Sequence, residues 1–298
     1  MLKSLMLFIG LSFSPMAMGA SSCGLNSELQ NLAQAPLNRG SDVGFSVSVF
    51  NSSGTLECED HFNPDKTIYP ASTIKILIAV TALRKIDLNG LRLTDEVTIS
   101  QSNADDECQF YGCDEWAIGK KQTVAQLLEA MLARSNNIAT NQFMDLLSKD
   151  FINTVAKQLG MTNTQVHRKM YALVDPEPGL SIRNISTSRD LGILYRFLKR
   201  QRALWLLSEE SNRHLHSVLE KQRYNNQLNK RFPEEVFFFH KTGSTSRAAG
   251  DAGYFMTSSG KQVIISAMQE NPQRVGRPRW DIAIHNQLGE LVLHHFHP

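Results

Sequence analysis

The sequence predicts an α/β protein of the α+β type: an antiparallel sheet built from both chain ends, flanked by helices, with an all-helical lobe inserted between the two halves. Three observations carry this. Strand-like segments stand near both ends, the middle is dominated by helically spaced apolar residues, and no repeat, low-complexity tract or long Pro/Gly-rich linker separates them. With 298 residues, 42% hydrophobic and 20% charged, the chain has the material for a sizeable core and not the composition of a disordered one. Its 31 basic and 29 acidic residues give a net charge of +2, so no basic surplus argues for nucleic acid or an anionic membrane surface.

In chain order, the opening "MLKSLMLFIGLSFSPMAMGASS" carries Lys3, an apolar run over 5–13 and small residues around Ala17, Gly19 and Ala20. That is the pattern of a cleavable secretory signal over 1–22, which leaves 23–298 as a single domain of two lobes. The run is too short to span a bilayer, so no membrane span is expected after cleavage. Acylation of Cys23, as in a lipoprotein, is the weaker reading because no Leu stands three residues before it. A secreted or periplasmic location permits disulfides. The four cysteines suggest Cys23–Cys58 and Cys108–Cys113, one of three connectivities that spacing does not separate. One C-x4-C without a second Cys pair or paired His is a poor zinc site, so no metal is expected.

"VGFSVSVF" (43–50) alternates apolar and small polar residues as a half-buried strand does, and the "NSSG" after it has turn chemistry. Glu57, Glu59 and Asp60 read as a solvated acidic turn. Beyond Pro70, "STIKILIAVTALRK" is apolar on nearly every side, as a helix buried in the middle of a domain would be. "TVAQLLEAMLA", "ATNQFMDLLS", "FINTVAKQLG" and "TSRDLGILYRFLKR" have helical spacing, the third stopped by Gly160 and the fourth opened by Thr187 or Ser188 as cap. "EVFFFHKTGS" reads as a strand, "DAGYFMTSSGKQVIISAM" as a hairpin turning at 258–260, and "WDIAIHNQLGELVLHHF" as a closing helix. The histidines of "LHHFHP" are better surface or packing groups than metal ligands.

Three stretches carry chemistry. Ser72 and Lys75 open the buried helix three residues apart, hence on one face, near a helix N-terminus that favours a nucleophile and an oxyanion. A serine attacks only if a base takes its proton, and a lysine serves as that base where burial or a neighbouring cation lowers its pKa. Ser135, Asn136 and Asn137 follow the "TVAQLLEAMLAR" helix: the hydroxyl can relay a proton and an amide side chain both donates and accepts. Lys241, Thr242, Gly243 and Ser244 offer a cation and two hydroxyls from a sheet edge, with Gly243 admitting close approach of a substrate backbone. Taken singly each has an ordinary structural explanation, a cap, a polar loop or a strand end; their order and their separation by whole helices do not.

"STIK", "SNN" and "KTG" are the Ser-x-x-Lys, Ser-x-Asn and Lys-Thr-Gly motifs of the serine β-lactamases and penicillin-binding peptidases. The chain most resembles the class A β-lactamases, also through "GFSVSVF", "YPASTIKILIAV", "TVAQLLEAMLARSNN" and "STSRDL". The resemblance implies Ser72 as acylated nucleophile, Lys75 as its base, Ser135 as proton shuttle and Asn137 as the group that orients the substrate amide. It further implies Lys241, Thr242 and Ser244 around the substrate carboxylate, an oxyanion hole of the Ser72 and Ser244 backbone N–H groups, and no cofactor. Asn136 stands where many members carry Asp; it keeps a hydrogen-bonding side chain, and little effect is expected. Arg247, three residues past Ser244, has the chemistry for bidentate carboxylate binding and equally that of an exposed loop arginine.

Class A enzymes hydrolyse their acyl-serine with a water activated by the glutamate of a Glu-Pro-x-Leu-Asn loop. Glu177-Pro178-Gly179-Leu180-Ser181 matches all but the last position, yet it lies later in the chain than the family spacing, where Tyr171 stands. Two outcomes follow. With Glu177 in reach, the protein is a class A-like β-lactamase that contributes to β-lactam resistance. Without it, acylation is followed by slow deacylation, as in a D-alanyl-D-alanine peptidase, another serine acyl hydrolase of this fold, or a non-catalytic covalent β-lactam-binding protein. The expected partner is a β-lactam or D-Ala-D-Ala-like small molecule, met by a monomer.

Overall fold

The computed structural model describes residues 20–103, 116–170, 183–198, 206–271 and 282–297. Strand β1 (Asp42–Phe50) pairs with β2 (Leu56–Phe62) across a short turn and, on its other side, with β7 (Gln262–Glu270) from the far end of the chain. β6 (Ala248–Met256) and β5 (Phe239–Ser244) complete an antiparallel sheet of order β2-β1-β7-β6-β5. The sheet assembled from both ends is therefore as expected, and the β6–β7 turn closes where it was placed, with Gly260 at φ +78° and Thr257 N–H donating to Lys261 O at 2.9 Å.

Helices α1 (Asn26–Asn38) and α8 (Ile282–Phe296) lie on one face of the sheet. Alternate β1 residues Val43, Phe45, Val47 and Val49 join Leu29 of α1 and Leu288 and Val292 of α8 in one apolar cluster. The other face meets α6 (Ser188–Arg196), where Gly44 and Gly192 leave room for Ser188 and Ser46. β1 is thus buried on both faces rather than half-buried: Ser46, on its small polar side, is 4% exposed. Small residues on that side read as solvent-facing but serve to let a helix lie close.

β2 corrects a second expectation. Glu57, Glu59 and Asp60 are not in a turn but on this strand, and Asp60 is buried. Its carboxylate accepts from Leu25 N–H and Ser22 Oγ–H, both at 2.7 Å, which repays its desolvation and fixes the entry to α1. The Cys23–Cys58 disulfide ties the same entry to β2. It occupies the Cys23 sulfur, the atom that acylation would need; Cys108 and Cys113 lie outside the described residues.

The inserted lobe is built around α2 (Lys75–Asp87), whose first nine residues, Lys75 through Leu83, are all buried. It is surrounded by α3 (Val124–Ala133), α4 (Asn137–Leu147), α5 (Lys149–Gln158) and α7 (Glu209–Leu219), which explains why it is apolar all round. Thr123 opens α3 through a capping box with Gln126, and Thr187 rather than Ser188 caps α6. Past α5 the chain leaves through Gly160 at φ +86°, a left-handed position that suits glycine. β3 (Glu96–Thr98) and β4 (Lys121–Thr123) form a separate two-stranded antiparallel sheet that runs into the start of α3. Among the described residues no helix is long and apolar enough to cross a membrane.

Candidate active site

Ser72 does not begin an α-helix; it sits on a 3-10 turn, Ala71–Ile74, that leads into α2. Ala71 has φ +47°, left-handed and unfavourable for a residue with a Cβ, a strain of about 1–3 kcal/mol that the surroundings must sustain. Thr73 sustains part of it, its hydroxyl and its amide both donating to Pro70 O, at 2.6 and 3.1 Å. Just upstream, Tyr69 N–H donates to the buried Glu270 carboxylate, which is also ion-paired to Arg183. The turn thus hangs from the end of β7, with Ser72 half-buried and Lys75, next along α2, fully buried.

Ser135 occupies the junction of α3 and α4 with φ +56°. The amide of Asn136 caps α4, its Oδ1 accepting from Ala139 N–H at 2.8 Å. An amide oxygen performs this task about as well as a carboxylate does, so the cap is kept without the charge. Asn137, the first residue of α4, turns its Oδ1 to Lys75 Nζ, from which it accepts at 2.7 Å. Lys75 Nζ also reaches Ser135 O at 2.5 Å and Ser135 Oγ at 3.3 Å.

Lys241 arrives from β5. It is fully buried, and its Nζ donates to Thr242 O at 2.9 Å and to the same Ser135 Oγ at 3.2 Å. The hydroxyl of Ser135 therefore bridges the two lysines. Burial pushes the Lys241 pKa down to about 7, opposed by the negative charge of Asp251 on β6. Asp251 faces Thr242 across the strand pair and is itself buried, accepting from Leu228 N–H at 3.0 Å and lying 2.8 Å from His240 Nδ1.

Gly243 has a purpose other than the one its position suggested. A Cβ there would stand 2.7 Å from both Ser72 N and Thr73 N and 2.9 Å from Pro70 O. It is the backbone of the Ser72 turn that needs the missing side chain. Ser244 is exposed at the end of β5, and Arg247 is half-buried in the turn to β6.

The structure thus brings Ser72, Lys75, Ser135, Asn137, Lys241, Thr242 and Gly243 to one place, with Ser244 and Arg247 at its margin. Glu177 and Tyr171 lie outside the described residues. The ends of their segment are fastened close by. Asn141, one turn beyond Asn137 on α4, exchanges two hydrogen bonds with the Met170 backbone at 2.7 and 2.8 Å. Asn184 accepts from His167 and Arg168 N–H at 2.7 and 2.9 Å, closing the neck.

Asp251 and His240 went unnoticed in the sequence. The available signal was an acidic residue in "GDAGYF", a stretch otherwise fit for a buried strand, directly opposite Thr242 of "KTG" in the hairpin register. Among the described residues no cluster of three His, Cys, Asp or Glu could hold a metal ion.

A family model described as the beta-lactamase enzyme family matches residues 24–296. A curated relative, the D-alanyl-D-alanine carboxypeptidase DacB2 of Mycobacterium tuberculosis, is 29% identical over 221 residues, covering 72% of this chain and 71% of its own. Among solved structures, an ancestral (GNCA) class A beta-lactamase superposes with a TM-score of 0.74 at 22% identity, over 91% of this chain and 100% of that one. A leucine-to-glutamate mutant of PBP-A, in an acyl-enzyme complex with penicillin G, gives 0.73 at 22% identity over 91% and 97%.

Proposed function

The chain belongs to the beta-lactamase enzyme family, and from that premise we propose that it is an exported class A-like serine β-lactamase acting through an acyl-serine intermediate. The observation that carries this is the Ser135 hydroxyl held between two buried lysine amines, 3.3 Å from Lys75 and 3.2 Å from Lys241. A neutral Lys75 can donate to Ser135 O and Asn137 Oδ1 and take a hydroxyl proton on its lone pair. It takes the proton of Ser72 as Oγ bonds to the lactam carbonyl carbon. The proton then passes through Ser135 to the ring nitrogen as the C–N bond breaks.

Backbone N–H groups of Ser72 and Ser244 receive the oxyanion, a contribution of roughly 3–4 kcal/mol for each such donor. Asn137 orients the substrate amide, and Lys241, Thr242, Ser244 and Arg247 hold the carboxylate. Deacylation is assigned to a water activated by Glu177. Export rests on the leader-like 1–22 segment and agrees with the Cys23–Cys58 disulfide.

The mycobacterial carboxypeptidase relative supports a second reading, a D-alanyl-D-alanine peptidase that deacylates slowly. Intact-protein mass spectrometry after mixing with a penicillin, run beside an assay on a D-Ala-D-Ala peptide, separates the two. A short-lived adduct with rapid penicillin turnover supports the lactamase; a lasting adduct with peptide cleavage supports the peptidase; no adduct defeats both. Glu177→Gln should leave acylation nearly unchanged and lengthen the life of the adduct at least about a hundredfold, the low end of a general base's contribution. Equal decay in the two proteins would remove Glu177 from deacylation and turn attention to Tyr171.

Lys241 yields a pH prediction. Its ammonium is present below about pH 7 in the free protein and lost above it, so kcat/KM for a carboxylate-bearing substrate should fall as pH rises through this region. Asp251→Asn withdraws the charge that favours the ammonium and should move the decline to lower pH. A flat profile from about pH 5 to about pH 9, roughly two units either side of that value, would show that the Lys241 charge does not govern capture.

A further inference from the structure

Ser244 has a partner with no assigned role. Gln227 is 1% exposed and lies between β5 and α8. Its Nε2 donates to Ser244 Oγ at 3.2 Å, and its Oε1 lies 2.7 Å from Nδ1 of His285, a fully buried residue of α8. The backbone around it is clamped from both sides. Asn286 Nδ2 donates to Gln227 O at 2.6 Å, Leu228 N–H donates to Asp251, and Gly289 of α8 lies so close that a Cβ would overlap Leu228 O. Gln227 has little freedom to turn away from Ser244.

We propose that Gln227, held by His285, is a positioning residue that fixes the direction of the Ser244 proton and thereby sets the preference of the site for substrates with a free carboxylate; this rests on the acyl-serine reading above. The argument is one of donors and acceptors. His285 Nδ1–H donating to Gln227 Oε1 leaves the amide NH2 to face Ser244. A Ser244 oxygen that accepts from Gln227 keeps its own proton for another partner. Ser244 is exposed at the end of the strand that carries Lys241 and Thr242, and strand alternation puts its hydroxyl on the side of Thr242, so the proton not used by Gln227 is offered beside the Thr242 hydroxyl. A carboxylate, which only accepts, meets a donor there. With the amide turned over, Ser244 would donate inward and present lone pairs to the carboxylate instead, which would repel it.

The test compares acylation by penicillin G and by its methyl ester, which lacks the anion. Gln227→Glu keeps the shape but accepts from both His285 and Ser244, drawing the Ser244 proton inward; Gln227→Met keeps the length and makes neither hydrogen bond. The expected result is a loss of kcat/KM for penicillin G, through KM, of roughly tenfold to a hundredfold in the Glu variant, in the range of one hydrogen bond to a charged group. The Met variant should lose less, and the ester should change by less than about threefold in both, since it carries no charge to lose. Adding Ser244→Ala should erase most of the selective loss in the Glu variant. Equal losses for acid and ester, or a selective loss of unchanged size without the Ser244 hydroxyl, would overturn the proposal. If Gln227→Glu does not fold, the acid-to-ester ratio of Gln227→Met decides alone, an unchanged ratio counting against. Failure of the unsubstituted protein to form an adduct with either compound would instead sink the acyl-serine reading, and is seen before any substitution is made.

Discussion

Alanine in place of Ser72 should give a folded protein that forms no covalent adduct with any β-lactam. The Ser72 hydroxyl caps no helix, since the 3-10 turn has no side-chain cap and is held by Thr73 on Pro70 O. Its removal deletes the attacking oxygen and little else. Intact-mass spectra with a penicillin should show only the unmodified protein, while the thermal midpoint stays within a few degrees of the parent, as a change of less than about 1 kcal/mol would leave it. Labelling that persists would place the nucleophile elsewhere.

The second large effect is expected at Lys75. Alanine there should slow acylation of Ser72 by about 10²–10⁴-fold, the span of general-base assistance. It should also cost stability, unlike the serine change. Ser135 O and Asn137 Oδ1 each lose a donor in a buried site, at about 1–3 kcal/mol for a group left without a partner, less where water enters the space. Stopped-flow acylation and denaturant unfolding measure the two losses separately. An unchanged acylation rate would take Lys75 out of the mechanism, whatever happened to stability.

The candidate site was legible in the sequence because chemistry imposes local spacings: Ser72 and Lys75 three residues apart, Ser135 and Asn137 across a cap, Lys241 to Ser244 on one strand. α2 was legible because burial on every side leaves no polar face to hide it. Other parts depend on residues distant in the chain, and no local pattern records them. Asp60 looked solvated because its partners, Ser22 and Leu25, precede it by more than a turn's reach. β1 looked half-exposed because α6, which covers its small polar side, lies far along the chain. α1 escaped notice, with Pro36 inside it and a polar majority outside Leu29 and Ala33. Gly243 could not announce that its neighbour is the Ser72 turn. Asp251 and His240 form their pair only once the β5–β6 hairpin has closed.

A sheet stitched from both ends of the chain also orders events in time. A chain emerging N-terminus first can close the β1–β2 hairpin at once, but the next neighbour of β1 is β7, so Asp42 must wait for Glu270. Until then β1 has an unpaired edge, and Lys75 and Ser135 are without Lys241. Contacts of such long sequence separation are slow to form, and an open strand edge is a template for wrong pairing until they do. Ser72 and Lys75 are thus made early and joined by Lys241 late: a ribosome-bound chain carries its serine without the strand that completes the pocket.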